Sequence, residues 1–94
     1  MSRLQRMRVM LAELEELAQC ARDHERRMAD ALRASSAWSR PEDRDWIRRA
    51  AADAVMTREQ AEQSVTHSRA LLARVQLLAN LGSAGRRCSI AGGA

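Results

Sequence analysis

From Leu4 to Leu32, apolar or small side chains return every three or four residues, and the same rhythm resumes at Ile47 and runs to Leu78. In the first segment the series is Leu4, Met7, Leu11, Leu14, Ala18, Ala21, Met28 and Leu32. Steps of three and four keep a residue on one side of a helix, because a helix turns once in about 3.6 residues. The second series is Ile47, Ala50, Ala51, Ala54, Ala61, Val65, Ser68, Leu71, Leu72, Val75 and Leu78. Two helical stripes leave no room for a sheet. Val and Ile are scattered singly, and no run alternates apolar with polar as a half-buried strand does.

Between the stripes lies "SSAWSRPEDRDW", residues 35–46, with the only proline, Pro41, and both tryptophans, Trp38 and Trp46. Ser39 and Glu42 have capping-box spacing, and Pro41 falls in the first turn, where its missing N–H costs nothing. Glu42, Asp43 and Asp45 oppose the positive end of the helix dipole. The proline therefore begins a helix. Upstream, Ser2 and Gln5 have the same capping spacing before the first helix.

The expected fold is all-α: a two-helix, coiled-coil-like antiparallel hairpin with helix 3–34, turn 35–40 and helix 41–81. Gly82 is the expected C-cap, and the Gly-rich segment 82–94 lacks periodicity and is expected to be a disordered tail. Ninety-four residues make one small domain, the hairpin 1–81 plus that tail. Folding at the turn sets Leu32 near Trp46, Met28 near Ala50, Ala18 near Ala61, and Leu4 and Met7 near Leu71 and Val75. Trp46, Ile47 and Leu32 are then expected to plug the turn end. Glu25 interrupts the first stripe; Arg49 and Arg58 are candidate partners, but a carboxylate at the stripe's edge is expected to bend out to water.

Two helices share one interface, and both stripes are wider than one interface can cover. Met10 and Leu17 on the first helix, and Leu77 and Leu81 on the second, fall away from a single seam. Each Leu or Met buried contributes roughly 1.5–3 kcal/mol, so the leftover surface favours recruitment of another helix. That helix belongs either to a second copy or to a different protein. The candidate partner-binding residues are Leu4, Met7, Leu11, Leu14 and Leu17 with Leu71, Leu72, Val75 and Leu78, then Trp38 and Trp46.

Other chemistry is poorly supported. Cys20 and His24 have a one-turn spacing that suits a metal, but further ligands would have to come from His67 or Cys88, which the pairing leaves distant. No cofactor or metal site is expected. A Cys–His nucleophile would lack a pocket and an oxyanion loop, which points away from an enzyme. Net charge is +4, every basic side chain other than His is Arg, and Arg3, Arg6 and Arg8 form one cluster with Arg86 and Arg87 another. A small nucleic-acid-binding protein is the competing class. Against it, Arg22, Arg26, Arg27 and Arg33 alternate with Asp23, Glu25 and Asp30, as on a solvated, ion-paired helix surface. No apolar run is long enough to span a bilayer or act as an export signal, and two cysteines in unlike contexts suit a reducing compartment. The expected location is cytoplasmic, without membrane insertion.

The run "PEDRDWIRRAAADAV", residues 41–55, resembles the opening of the second helix in small hairpin co-chaperones of type III secretion systems. Pro41, Glu42, Trp46, Ile47, Ala51 and Ala54 carry the resemblance. It implies a cytoplasmic helical hairpin that, with a superhelical chaperone, holds a needle subunit unpolymerised before export. The chain also resembles the secreted WXG hairpins. Its turn reads Trp38-Ser39-Arg40 where those carry Trp-x-Gly, and it has no Tyr for their C-terminal export signal, so that resemblance ranks lower.

Overall fold

The computed structural model describes the backbone of residues 2–35, 37 and 40–92, and side chains as far as Gly82. The described residues form two helices, α1 (Arg3–Ser35) and α2 (Pro41–Gly92), of 33 and 52 residues. At 1.5 Å per residue these span about 50 and about 78 Å. The chain measures 81 × 19 × 14 Å, so α2 sets its length.

Local chemistry starts α1 as the sequence predicts; at α2 the capping residue Ser39 lies outside the described residues. The Ser2 amide donates to Gln5 Oε1 at 2.8 Å, and the Gln5 amide donates to Ser2 Oγ at 3.1 Å, which completes the capping box. Pro41 is the first residue of α2, with Glu42 and Asp43 in its first turn. The end of α2 departs from expectation. Its backbone stays helical through Gly82 to Gly92, although the sequence ends the helix at Leu81 and leaves 82–94 as a tail. Among the described residues no glycine takes a positive φ, so Gly82 forms no left-handed cap. Glycine inside a helix costs about 1 kcal/mol without forbidding it, and no proline follows Pro41.

Three ion pairs fix the register of the hairpin: Glu25 with Arg58, Arg22 with Glu62, and Glu15 with Arg69. Carried along both helices, that register sets Ala18 level with Val65, Leu11 with Leu72, Met7 with Val75, and Ser35 with Ile47 and Arg48. The expected pairings of Leu32 with Trp46, Met28 with Ala50 and Ala18 with Ala61 are thus displaced by about one helical turn, whereas Met7 does lie near Leu71 and Val75. The cause lies in the reversal: the first residues of α2 run past the end of α1 before the helices lie side by side. Trp46 sits on this overshooting end and is 64% exposed, so it does not plug the turn with Leu32. Ser35 takes the enclosed place there, buried, with its hydroxyl donating to the Leu32 carbonyl at 2.8 Å. Trp38 lies outside the described residues.

The core is small. The buried apolar residues are Ala18, Ala54 and Val65. Around them the predicted α1 stripe is half-buried at Leu4, Met7, Leu11, Leu14, Ala21, Met28 and Leu32, as are Ile47, Ala51, Ala61, Leu72 and Val75 on α2. Alanine at the tightest points lets two backbones approach, and larger side chains fill the seam beyond them. The seam follows heptad spacing on both helices, with Glu25 and Arg58 taking places that small or apolar groups hold elsewhere.

Candidate functional site

The two flanks of the seam are chemically unlike. Residues seven apart lie on the same flank, and in an antiparallel pair like flanks face each other. On one flank α1 presents Glu15, Arg22 and Ala29, and α2 presents Val55, Glu62 and Arg69. This flank is closed by charge. Arg69 Nη2 lies 3.1 Å from Glu15 Oε1, and Arg22 Nη1 lies 3.4 Å from Glu62 Oε1. Glu15, Ala18, Arg22, Glu62, Val65 and Arg69 help line a polar cleft of about 430 Å³ between the helices.

Arg58 joins this network from within the seam. Its Nε donates to Glu25 Oε2 at 2.7 Å, its Nη2 to Glu25 Oε1 at 3.4 Å, and its Nη1 to Glu62 Oε2 at 3.1 Å. The fork geometry of guanidinium matches two carboxylates at once. Hydrogen bonds to Glu25 and then Glu62 push the Arg58 pKa further above its already high value. The Arg58 hydrogen bond also holds the Glu62 carboxyl below the usual carboxylate range. The expectation that Glu25 bends out to water is therefore corrected. Apolar periodicity shows where a stripe is interrupted but carries no information on whether a facing Arg falls within reach. Of the two candidate partners, the observed register selects Arg58 over Arg49.

The other flank is open. On α1 it carries Met10, Leu17, His24 and Ala31, and on α2 it carries Ala50, Thr57, Ser64, Leu71 and Leu78. Met10, Leu17, Leu71 and Leu78 are 61, 62, 40 and 67% exposed. These four lie toward the end of the hairpin away from the turn. There Met7, Met10, Leu11, Leu14, Ser68 and Leu71 line a depression of about 130 Å³ with a mostly apolar surface. Leu77 and Leu81, also exposed, continue the apolar surface around α2.

The sequence-predicted partner-binding residues thus divide. Leu4, Met7, Leu11, Leu14, Leu72 and Val75 lie in the seam and are half-buried by the hairpin itself. Leu17, Leu71 and Leu78 lie on the open flank, and Trp46 stands apart at the turn end. Met10, already marked by the sequence as off the seam, joins the flank group. Leu71 and Leu78 were expected in the seam. A strict seven-residue repeat advances Leu72 and Val75 into it and leaves their neighbours one flank over.

Cys20 is exposed, one turn from His24. Among the described residues, no group of three or more His, Cys, Asp or Glu side chains is placed to hold a metal ion. No helix among them is long and apolar enough to cross a membrane. What this arrangement offers is a surface: one flank whose charges satisfy one another, and one whose apolar groups are exposed. No protein-family model, curated protein or solved structure matches the chain.

Proposed function

We propose that the chain is a non-enzymatic helical hairpin that binds another protein helix along its open flank. The observation that carries this reading is the exposure of Met10, Leu17, Leu71 and Leu78 in a row beside a seam whose buried apolar residues, among those described, are Ala18, Ala54 and Val65. Single exposed leucines are ordinary on a protein surface; a contiguous apolar strip on a small chain marks an interaction surface. The mechanism is occlusion. A partner helix laid in the depression beside Met10 and Leu71 completes a three- or four-helix layer, and both sides lose apolar surface to water.

A small chaperone or adaptor acts in this way, and the co-chaperone role implied by residues 41–55 is one form of it, in which the covered helix belongs to an export subunit in the cytoplasm. The competing reading is nucleic-acid binding through Arg3, Arg6 and Arg8, all exposed on the first turns of α1. It predicts DNA retention that falls steeply with salt and disappears when those three are replaced.

The test uses the full chain purified from its native host, with the intact complex weighed. Leu17→Arg combined with Leu78→Arg is expected to release the partner while helicity stays unchanged, because neither residue lies in the seam. Undiminished association of that variant contradicts the proposal. Leu14→Arg with Leu72→Arg is the uninformative choice, since charge there also disrupts the hairpin.

A further inference from the structure

We infer that the helix bound along the open flank is acidic: a segment of another protein, about three to four turns long, with Asp or Glu on both edges of its apolar face. This rests on the reading above and deepens it by naming the chemistry of the occupant.

The apolar part of the flank is short. Met10 and Leu71 stand at the sides of the depression, and the half-buried Met7, Leu11, Leu14 and Ser68 form its floor. In the hairpin's register Leu78 lies near the level of Arg6. From there to Leu17 is about 11 residues of α1, or roughly 17 Å, which is about three turns. Beyond Leu17 the flank becomes polar, with His24 on α1 and Ser64 and Thr57 on α2. A third helix nests against two side-by-side helices at an axial separation of about 8–10 Å, so the strip fits a short helical segment.

Charge selects which kind. Arg6 is one turn before Met10 on its outer side, and Arg3 is two turns before it on the flank itself. Across the depression, Arg74 sits between Leu71 and Leu78 on the outer side of α2. The register brings Arg74 within about one turn of the level of Arg6, so both edges of the strip are basic at the same end. All three arginines are exposed, and among the described residues none has an ion-pair partner within the hairpin. Glu13 is the one acid among the described residues that edge this end. Farther along, Arg27 and Asp53 balance each other, so the excess of positive charge coincides with the apolar strip.

A helix laid in the depression carries one edge past Arg3 and Arg6 and the other past Arg74. Asp or Glu at those edges gains a charge-assisted partner, whereas Lys or Arg meets like charge. Glu13 accepts a basic residue at one point only. A nucleic acid also brings negative charge, but its phosphates would lie against Met10, Leu17 and Leu71, and Glu13 would repel them. The arrangement suits a ligand that is acidic at its edges and apolar between them.

The test titrates the reduced full-length chain with a labelled synthetic helix of about 14 residues, Leu on one face and Glu along both edges. The same helix with Lys, and with Gln, at the edges provides the comparison. Fluorescence anisotropy is expected to show the Glu helix binding about tenfold more tightly than the Lys helix, with Gln between, and the difference should shrink as salt is raised. Arg6→Glu combined with Arg74→Glu should reverse the order. Helicity is the control, since neither side chain is bonded within the hairpin. Equal binding of the three helices, or an order unchanged in the reversed variant, overturns the inference. If such charge-blind binding is lost in the Leu17→Arg, Leu78→Arg variant, the proposed function stands without it. Absence of binding to any of the helices, or tighter binding to duplex DNA or to phosphatidylserine vesicles than to the Glu helix, also overturns the inference. The proposed function falls with it only if the chain purifies from its native host with no protein bound.

Discussion

Arg58 of α2 reaches Glu25 of α1 at 2.7 Å, and the pair sits in the seam with only about a quarter of each side chain exposed. On either side of it the seam is held by half-buried Ala21 and Met28 on α1 and by Ala54 and Ala61 on α2. An ion pair in such a place ties the two helices at one register. Its cost is the partial removal of two charges from water. Removing one partner strands the other, whereas replacing both with apolar groups of similar length removes the cost altogether.

Arg58→Met is therefore expected to lower the thermal midpoint, and Glu25→Met combined with Arg58→Met to recover it fully or exceed it. Thermal unfolding followed by circular dichroism reads both. An Arg58→Met variant as stable as the wild type would mean that Glu25 is solvated and that the pair does not set the register.

Acid should weaken the hairpin through Glu62. Its carboxyl titrates below its ordinary value of 4.5 because Arg58 binds the ionised form. A group whose folded pKa is depressed stabilises the fold above its unfolded pKa, and that stabilisation disappears as pH falls through the folded value. Helicity and thermal midpoint should therefore hold from neutral pH to about pH 5 and decline below about 4.5. Glu62→Gln should flatten that decline. Arg58 adds nothing to this window, since its pKa shift lies at the far alkaline end.

The narrow waist of the seam makes a volume prediction. Ala18 and Ala54 are 2 and 3% exposed, and Ala18 lies level with Val65, which is 6% exposed. Ala18→Leu forces a larger group into the closest approach of the helices and should cost about 1–3 kcal/mol. Val65→Ala removes two methyl groups from a filled position and should cost about 2 kcal/mol. Denaturant titration measures both, and a neutral Ala18→Leu would show the helices to be further apart than the burial of Ala18 implies.

Much of this was legible before the fold was known. The α1 stripe from Leu4 to Leu32 is half-buried or buried at every position named, because helical periodicity and burial follow from the same 3.6-residue turn. The capping box at Ser2 and Gln5 and the helix start at Pro41 depend only on local chemistry, and both are present. Met10 and Leu17 could be marked as off the seam for the same reason. The register could not be read, since it depends on the path of residues 36–40 and on long-range pairs such as Glu15 with Arg69. The place of Leu71 and Leu78 followed the register out of reach. Glu25 illustrates a second limit: the pattern shows an interrupted stripe, but only the facing helix supplies Arg58.

Seam and flank should also separate by mutation. Leu11→Ala is expected to destabilise the isolated hairpin by about 2 kcal/mol or more, while Leu17→Ala leaves it nearly unchanged and weakens association instead. Comparing urea midpoints at low concentration with sedimentation at high concentration distinguishes the two effects. Equal losses of hairpin stability for both would mean that Leu17 belongs to the seam.

The most direct measurement is the dependence of the thermal midpoint on concentration for the full-length chain as it purifies from its native host, with any bound protein retained. If the flank of Met10, Leu17, Leu71 and Leu78 is covered by another protein helix, folding is linked to association, and the midpoint should rise by several degrees over a hundredfold increase in concentration. The Leu17→Arg, Leu78→Arg variant should lose that dependence and keep its helicity. A wild-type midpoint that stays constant over the same range, with the variant indistinguishable from it, would contradict the account.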